Sequence, residues 1–364
     1  MFVVVFCSLI ALLLTVLESK GGLKHGMLTG FILVTILGAI HYDYGNDYMS
    51  YKDIFKQVTS YSFNMKAILA KEYYHDPGWV VLCYLFKPCG GFFTMVAVLN
   101  IIQNTIVYNF IKTNLNKRLW PFAVFVYLFV TSFYLMSFSM MRQMFVMVVF
   151  LGTWKFIIKR EWWIPLIVIY LCSFVHGSAL ILIPFAFWGF IPLNNAKYLG
   201  VVYVILLAVF WLFGNTLNNL FQFAMTMDDV FSGYVDTYEN NDSVLKLGFG
   251  FIINMIPFVL SIIFLFSKGN TDQEKSLVAL AAISFLITPF SQIIQLVGRL
   301  GSYFGIFSIV SIPLIYNNIK KKRIRNVLIL LYLFISLYDY YLFFTDSVFE
   351  KKYSIFHTIF TQVL

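Results

Sequence analysis

Apolar residues in this chain recur in runs of roughly 15 to 20, separated by short stretches that hold most of the charge. The runs cover about 2–17, 27–40, 92–111, 119–137, 143–158, 162–176, 178–191, 198–214, 248–267, 276–295, 301–316 and 326–344. In hydrocarbon a backbone has no water to bond with, so a segment of this kind crosses as a helix that satisfies its own N–H and C=O groups. A span needs about 20 predominantly apolar residues. Overall, 60% of residues are hydrophobic and 12% charged, against about 45–50% and about 25% in soluble domains. The expectation is an all-α, polytopic membrane protein of about twelve transmembrane helices, a single membrane domain over 1–364.

The net charge of +9 invites a nucleic-acid partner, but its distribution argues against one. Basic residues stand in small clusters between the apolar runs, as in Lys320-Lys321-Lys322-Arg323, whereas a nucleic-acid surface needs one contiguous basic patch. Clusters of this kind mark cytoplasmic loops. With the N-terminus outside, the inner loops hold sixteen of the 26 basic residues and four of the 17 acids. The outer side keeps ten basic and thirteen acidic residues. The run 2–17 has no basic n-region and no small-residue cleavage site, so it is expected as the first span and not as a removed signal. The expected location is therefore the inner (plasma) membrane, multi-pass, with an extracytoplasmic N-terminus and outer loops over about 41–91 and 215–247.

Four cysteines form no CxxC pair, and five scattered histidines form no HExxH. No metal site and no cofactor is expected. Attention passes to the few charged or titratable residues beside apolar runs. Arg142 stands in Ser137-Phe-Ser-Met-Met-Arg-Gln143 and Arg299 in Gln295-Leu-Val-Gly-Arg-Leu-Gly301, neither with an acid nearby in sequence. His176 ends an apolar run at Ser173-Phe-Val-His-Gly-Ser178. A charged residue in a membrane helix costs about 2.5–3.5 kcal/mol at the bilayer centre, so it is a functional candidate by default. Snorkelling to headgroups is the plain alternative for the arginines, and a satisfied helix-end imidazole for His176. On the counted topology all three, with Asp43, Asp47 and Asp53, fall on the outer side. Two unpaired guanidiniums facing one cavity suit a lipid-linked diphosphate, since the Arg fork matches phosphate oxygens bidentately. An imidazole or carboxylate nearby would take the proton of an incoming hydroxyl.

The chain also resembles a known family. The first outer loop reads Gly45-Asn-Asp47-Tyr48-Met-Ser-Tyr51-Lys-Asp-Ile-Phe55, followed by Asp76-Pro-Gly-Trp-Val-Val-Leu82. Then come Met141-Arg142-Gln143, His176-Gly-Ser-Ala179, and Gly298-Arg299 with Tyr303-Phe304. In that order these motifs resemble the EpsG family of Wzy-like polysaccharide polymerases, over about residues 40 to 305. The resemblance implies a glycosyltransferase C-like fold and a metal-independent polymerase of oligosaccharide repeat units carried on undecaprenyl diphosphate. It implies diphosphate binding by Arg142, Arg299 and Gln143, and a catalytic base in His176 or Asp47. It implies sugar stacking on Tyr48, Tyr51, Trp79 and Tyr303, with interfacial anchoring as the plainer role for the aromatic rings. The family often carries an Arg shortly before Gly-x-Asp-Tyr; here His41 and Tyr42 stand there, so a third phosphate contact is not implied. A chain-length regulator and a flippase are the implied protein partners, beside the lipid bilayer.

Two other activities fit parts of the pattern. A lipid-linked oligosaccharide flippase needs cations in a cavity reached from both sides, yet the inner halves of the apolar runs hold almost no charge. A membrane O-acyltransferase needs a histidine reached from the cytoplasm, and His176 is expected to face outward.

Overall fold

The computed structural model describes residues 1–191, 197–226, 249–290 and 301–361. These fall into two compact units, Met1–Ile191 with Lys321–Leu364, and Pro192–Lys320.

The first unit opens with α1 (Phe2–Ser19) and α2 (Gly26–Ile40), joined by a short turn and packed along their length. Small side chains make that approach possible: α1 buries Ser8, Ala11 and Thr15, and α2 buries Gly26 and Gly30. Between membrane helices, close backbone packing replaces the hydrophobic drive that water would supply. The chain then pairs His41–Tyr42 with His357–Thr358, antiparallel. It continues through α3 (Tyr48–Ser60), α4 (Met65–Leu69), α5 (Pro77–Phe86) and α6 (Gly91–Asn114). Next are α7 (Trp120–Phe129), α8 (Met141–Gly152), α9 (Trp154–Ile158) and α10 (Trp163–Val175). Inside, α6 and α7 are joined by a polar chain in which Gln103 Nε2 donates to Tyr127 Oη (3.1 Å) and Tyr127 Oη donates to Asn104 Oδ1 (2.7 Å). Buried polar groups of this kind must find partners within the protein.

The run expected as one span over 119–137 stops as an α-helix at Phe129, where Val130 turns extended. A turn and a short 3₁₀ segment, Met136–Phe138, carry the chain to α8. Arg142 stands in the first turn of α8, at a helix end as expected. Beyond α10, the apolar run Gly177–Phe190 is a 3₁₀ helix of 14 residues packed on α10. Its rise of about 2.0 Å per residue gives about 28 Å, near the hydrocarbon thickness of about 30 Å. The 13 residues of α10 reach only about 20 Å.

In the second unit α11 (Lys197–Thr226) runs through 215–226, a stretch expected as loop; the acidic residues Asp228, Asp229, Asp236, Glu239 and Asp242 lie outside the described residues. It is followed by α12 (Phe249–Phe266), α13 (Asp272–Ile287), which begins with a Thr271–Glu274 capping box, and α14 (Ser308–Asn317). Tyr203 Oη donates to the Ala279 carbonyl at 2.8 Å and ties α11 to α13.

The first unit closes with α15 (Lys322–Thr345) and α16 (Glu350–Tyr353). Among the described residues five helices can cross a membrane by length and composition: Phe2–Ser19, Gly91–Asn114, Met141–Ile158, Lys197–Gly214 and Lys322–Thr345. Other runs form shorter apolar helices, among them Gly26–Ile40, Trp163–Val175 and Ser308–Asn317. The chain is an all-helical, multi-pass membrane protein.

Candidate active site

The segment after α2 is held by backbone contacts. Gly45 has φ +117°, and a side chain there would collide with the Phe138 backbone, so only glycine lets this turn lie on the 136–140 segment. The Asp47 N–H then donates to Ser139 Oγ at 3.3 Å, leaving the Asp47 carboxylate exposed at the start of α3. Tyr48 points inward: its hydroxyl donates to the His41 carbonyl at 3.1 Å, and its ring meets His41 and Phe92. His41 itself is buried, its Nδ1–H donating to the Gly38 carbonyl at 2.6 Å. Burial pushes its imidazole down to about 4, so it is neutral at ordinary pH.

The centre of the site is built around Arg142. Asp76 is the N-cap residue of α5 and is followed by Pro77, yet its carboxylate accepts nothing from the helix. It turns instead to Arg142, forming an ion pair with Nη1. His75 Nε2 lies 3.2 Å from the same Asp76 oxygen and 3.3 Å from Arg142 Nη1. The guanidinium carbon stands 5.3 Å from the ring centres of both Tyr51 and Tyr74, within cation–π range. Tyr51 in turn packs on Trp79, ring centres 5.4 Å apart. Burial pushes the Tyr51 phenol up; the charge of Arg142 and hydrogen bonds from its side chain and backbone act against this, and the Asp47 carboxylate adds to it. Tyr74 behaves likewise, with burial raising, Arg142 lowering and Asp76 raising it.

The Arg142 and Asp76 side chains are only 15% and 8% exposed, against 61% for His75. Removing one partner of so covered a pair typically costs about 3–5 kcal/mol, because the other charge is left stranded. Around it, Arg142 Nε, Trp79 Nε1 and Gln143 Nε2 are buried donors with no hydrogen-bond partner.

His176 adjoins this cluster through α5. Gly78 lies so close to Phe174 that a Cβ on it would sit 2.8 Å from the Phe174 carbonyl carbon. This brings the start of α5 against the end of α10, two residues before His176. His176 is half-buried, its N–H donating to the Cys172 carbonyl at 2.9 Å.

Tyr51, Trp79 and Arg142 thus share one cluster, Asp47 borders it through its effect on Tyr51, and Gln143 is the next residue of α8. Tyr48 and Trp79 are fully covered and shape the loop from inside. Tyr303, also covered, belongs to the second unit, and Arg299 lies in 291–300, outside the described residues. The expectation of an unpaired Arg142 is corrected: its acid is Asp76, 66 residues away in sequence. Asp76, His75 and Tyr74 were not singled out as site residues. The one local signal was a His-Asp pair immediately ahead of an apolar helix.

The sequence model of the EpsG family matches residues 25–356, nearly the whole chain. The protein belongs to the EpsG family. Comparison with curated proteins and with solved structures yields no match. As an EpsG protein it is a Wzy-like polysaccharide polymerase in general terms, a glycosyltransferase-type enzyme that works in the bilayer on a lipid-linked substrate.

For an EpsG-family polymerase the Arg142 cluster has suitable chemistry. A guanidinium held by two aromatic rings keeps its orientation, and a fixed donor array stabilises developing negative charge without reorganising. The exposed Asp47 carboxylate acts on Tyr51 of this cluster, and His176 follows the helix end that packs on α5. Among the described residues no group of three or more His, Cys, Asp or Glu is placed to hold a metal ion.

Proposed function

We propose that this EpsG-family protein joins oligosaccharide repeat units carried on undecaprenyl diphosphate, at the extracytoplasmic face of the plasma membrane. The observation that carries this reading is the covered Arg142 guanidinium, gripped by Tyr51 and Tyr74 in the first turn of a membrane helix. A fork-shaped cation beside the amide N–H groups of a helix start matches a diphosphate in both shape and charge.

In the reaction, the bond from the donor's anomeric carbon to the diphosphate breaks and its electron pair goes to the leaving oxygen. Arg142 stabilises that oxygen, an effect of roughly 3 kcal/mol per donor. The acceptor hydroxyl gives its proton to Asp47 or His176 and bonds to the anomeric carbon. Undecaprenyl diphosphate leaves, and no cofactor takes part.

Shared faces support this siting. The Met1 ammonium donates to the Ser354 carbonyl at 2.6 Å, and His41–Tyr42 pairs with His357–Thr358, so the N-terminus, the first loop and the C-terminal segment gather together. The asymmetry of basic residues puts the N-terminus outside, and the site with it. A flippase would supply the donor to this face, and a chain-length regulator would set when extension stops.

The test is reconstitution of the full chain in nanodiscs with an undecaprenyl-diphosphate-linked repeat unit. A ladder of lipid-linked polymers, with release of undecaprenyl diphosphate, is the expected result. In vesicles, movement of the lipid between leaflets without a ladder would replace this reading with a flippase.

A further inference from the structure

In the structure Asp76 occupies the place on Arg142 that an anionic ligand would need. Its oxygen and His75 both address Nη1, while Nε has no partner at all. An arginine serving only as a structural tie has no reason to leave part of its fork unused, because each unmet buried donor costs about 1–3 kcal/mol.

Asp76 also has an alternative seat within reach of a single side-chain rotation. It is the N-cap residue of α5, with the extended backbone (φ −108°, ψ 91°) that capping requires, yet it makes no cap bond. Pro77 has no N–H to offer, so the amides that a capping carboxylate would take are those of Gly78 and Trp79. His75, 3.2 Å from the carboxylate and mostly exposed, stands beside both positions. One carboxylate therefore has two sets of partners, Arg142 or the start of α5, and in the structure it takes Arg142.

We propose that Asp76 is a placeholder for the donor's diphosphate: diphosphate binding displaces it from Arg142 to the α5 N-terminus, and its return helps expel the undecaprenyl diphosphate product. This rests on the polymerase reading above and adds to it a positioning residue that acts through Arg142. A site that binds a diphosphate donor and must release a diphosphate product has this problem built in, since the same group anchors both. An internal competitor weakens both states and keeps the product from holding the site. The displaced carboxylate is not left stranded, because α5 offers it free N–H groups and the positive end of a helix dipole.

The test compares the full wild-type chain with Asp76→Asn in nanodiscs, using undecaprenyl diphosphate as the binding probe and lipid-linked repeat units for kinetics. With the competitor gone, undecaprenyl diphosphate should bind at least about fivefold tighter, in line with ordinary coupling between competing ligands. KM for the donor should fall together with kcat, as product release becomes limiting. Binding that is unchanged or weaker in Asp76→Asn overturns the placeholder role, and so does an unchanged kcat. A measurement on the wild type alone covers the case in which the variant does not fold. Amide hydrogen exchange at Gly78 and Trp79 should slow when undecaprenyl diphosphate is added, as the carboxylate caps them. Exchange that is unchanged or faster also overturns the proposal. If wild-type protein binds no undecaprenyl diphosphate, the diphosphate site itself fails, and that result is distinct from a wild type that binds while Asp76→Asn binds no tighter.

Discussion

Lys352 Nζ lies 2.7 Å from Asp43 Oδ1, an ion pair between residues 309 positions apart. It fastens the C-terminal segment to the first loop, where Asn46 Nδ2 also donates to the Val348 carbonyl at 3.2 Å. Between them Tyr353 is fully covered, its ring against Tyr44 and its hydroxyl donating to the Leu135 carbonyl at 3.2 Å. The motif that carries Asp47 and Tyr51 is thus clamped by the far end of the chain.

The clamp predicts a hierarchy. Lys352 and Asp43 are both about a third exposed, so Lys352→Ala should cost no more than about 1 kcal/mol. Tyr353→Ala should cost about 3–5 kcal/mol through the cavity it leaves, and Tyr353→Phe about 1 kcal/mol for one hydrogen bond. Thermal unfolding of detergent-solubilised protein gives the order. Equal effects of Lys352→Ala and Tyr353→Ala would contradict it.

Arg142→Lys keeps the charge but loses the planar fork and much of the stacking on Tyr51 and Tyr74. Polymer yield should fall at least about tenfold while the protein remains in the membrane. Arg142→Gln should in addition destabilise the fold, but by less than the about 3–5 kcal/mol of a stranded charge, because Asp76 keeps His75 beside it and can turn to the start of α5. Normal polymer from Arg142→Lys would leave only an anchoring role.

For the base, His176→Ala and Asp47→Asn separate the two candidates. The residue that takes the acceptor proton should lower kcat by about 10²–10⁴-fold on removal, with undecaprenyl diphosphate binding retained. Full activity in both variants would remove general-base catalysis by either residue.

Orientation can be read from thiol labelling. Native Cys89 is exposed in the 41–91 segment, so a membrane-impermeant maleimide should label it from outside. In a background without cysteines, Asn64→Cys should label from outside and Thr113→Cys only after permeabilisation. The reverse pattern would move the site to the cytoplasm.

His41 supplies a pH signature. Its folded pKa of about 4 lies below the ordinary value of 6.5, so between these the unfolded chain binds the extra proton. Its contribution to stability is complete above about pH 6.5 and is lost as pH falls toward 4, amounting to about 3 kcal/mol at most. The midpoint of thermal unfolding should drop between pH 7 and pH 5, and His41→Phe, which keeps a ring against Tyr48 and Phe138, should flatten that part of the slope.

The spans, the sparse charges beside them and the ordered EpsG motifs were legible in the sequence because each depends on neighbours a few residues away. Apolar run length reports a bilayer crossing residue by residue. The break after Phe129 was not legible, since 119–137 is predominantly apolar and long enough to read as one span.

The amino-acid sequence by itself determined an all-helical membrane chain with Arg142, His176 and Asp47 at loop-proximal ends of apolar runs, because burial of apolar length against exposure of charge is a local balance. Only the tertiary structure decided that Arg142 is paired, that Asp76 is its partner, and that Tyr51 and Tyr74 hold it between them. Those contacts join α3, the turn before α5 and the start of α8, across 66 residues between Asp76 and Arg142. An ion pair at that separation leaves no periodic trace, because its energy depends on how the helices pack and not on the order of the residues along them.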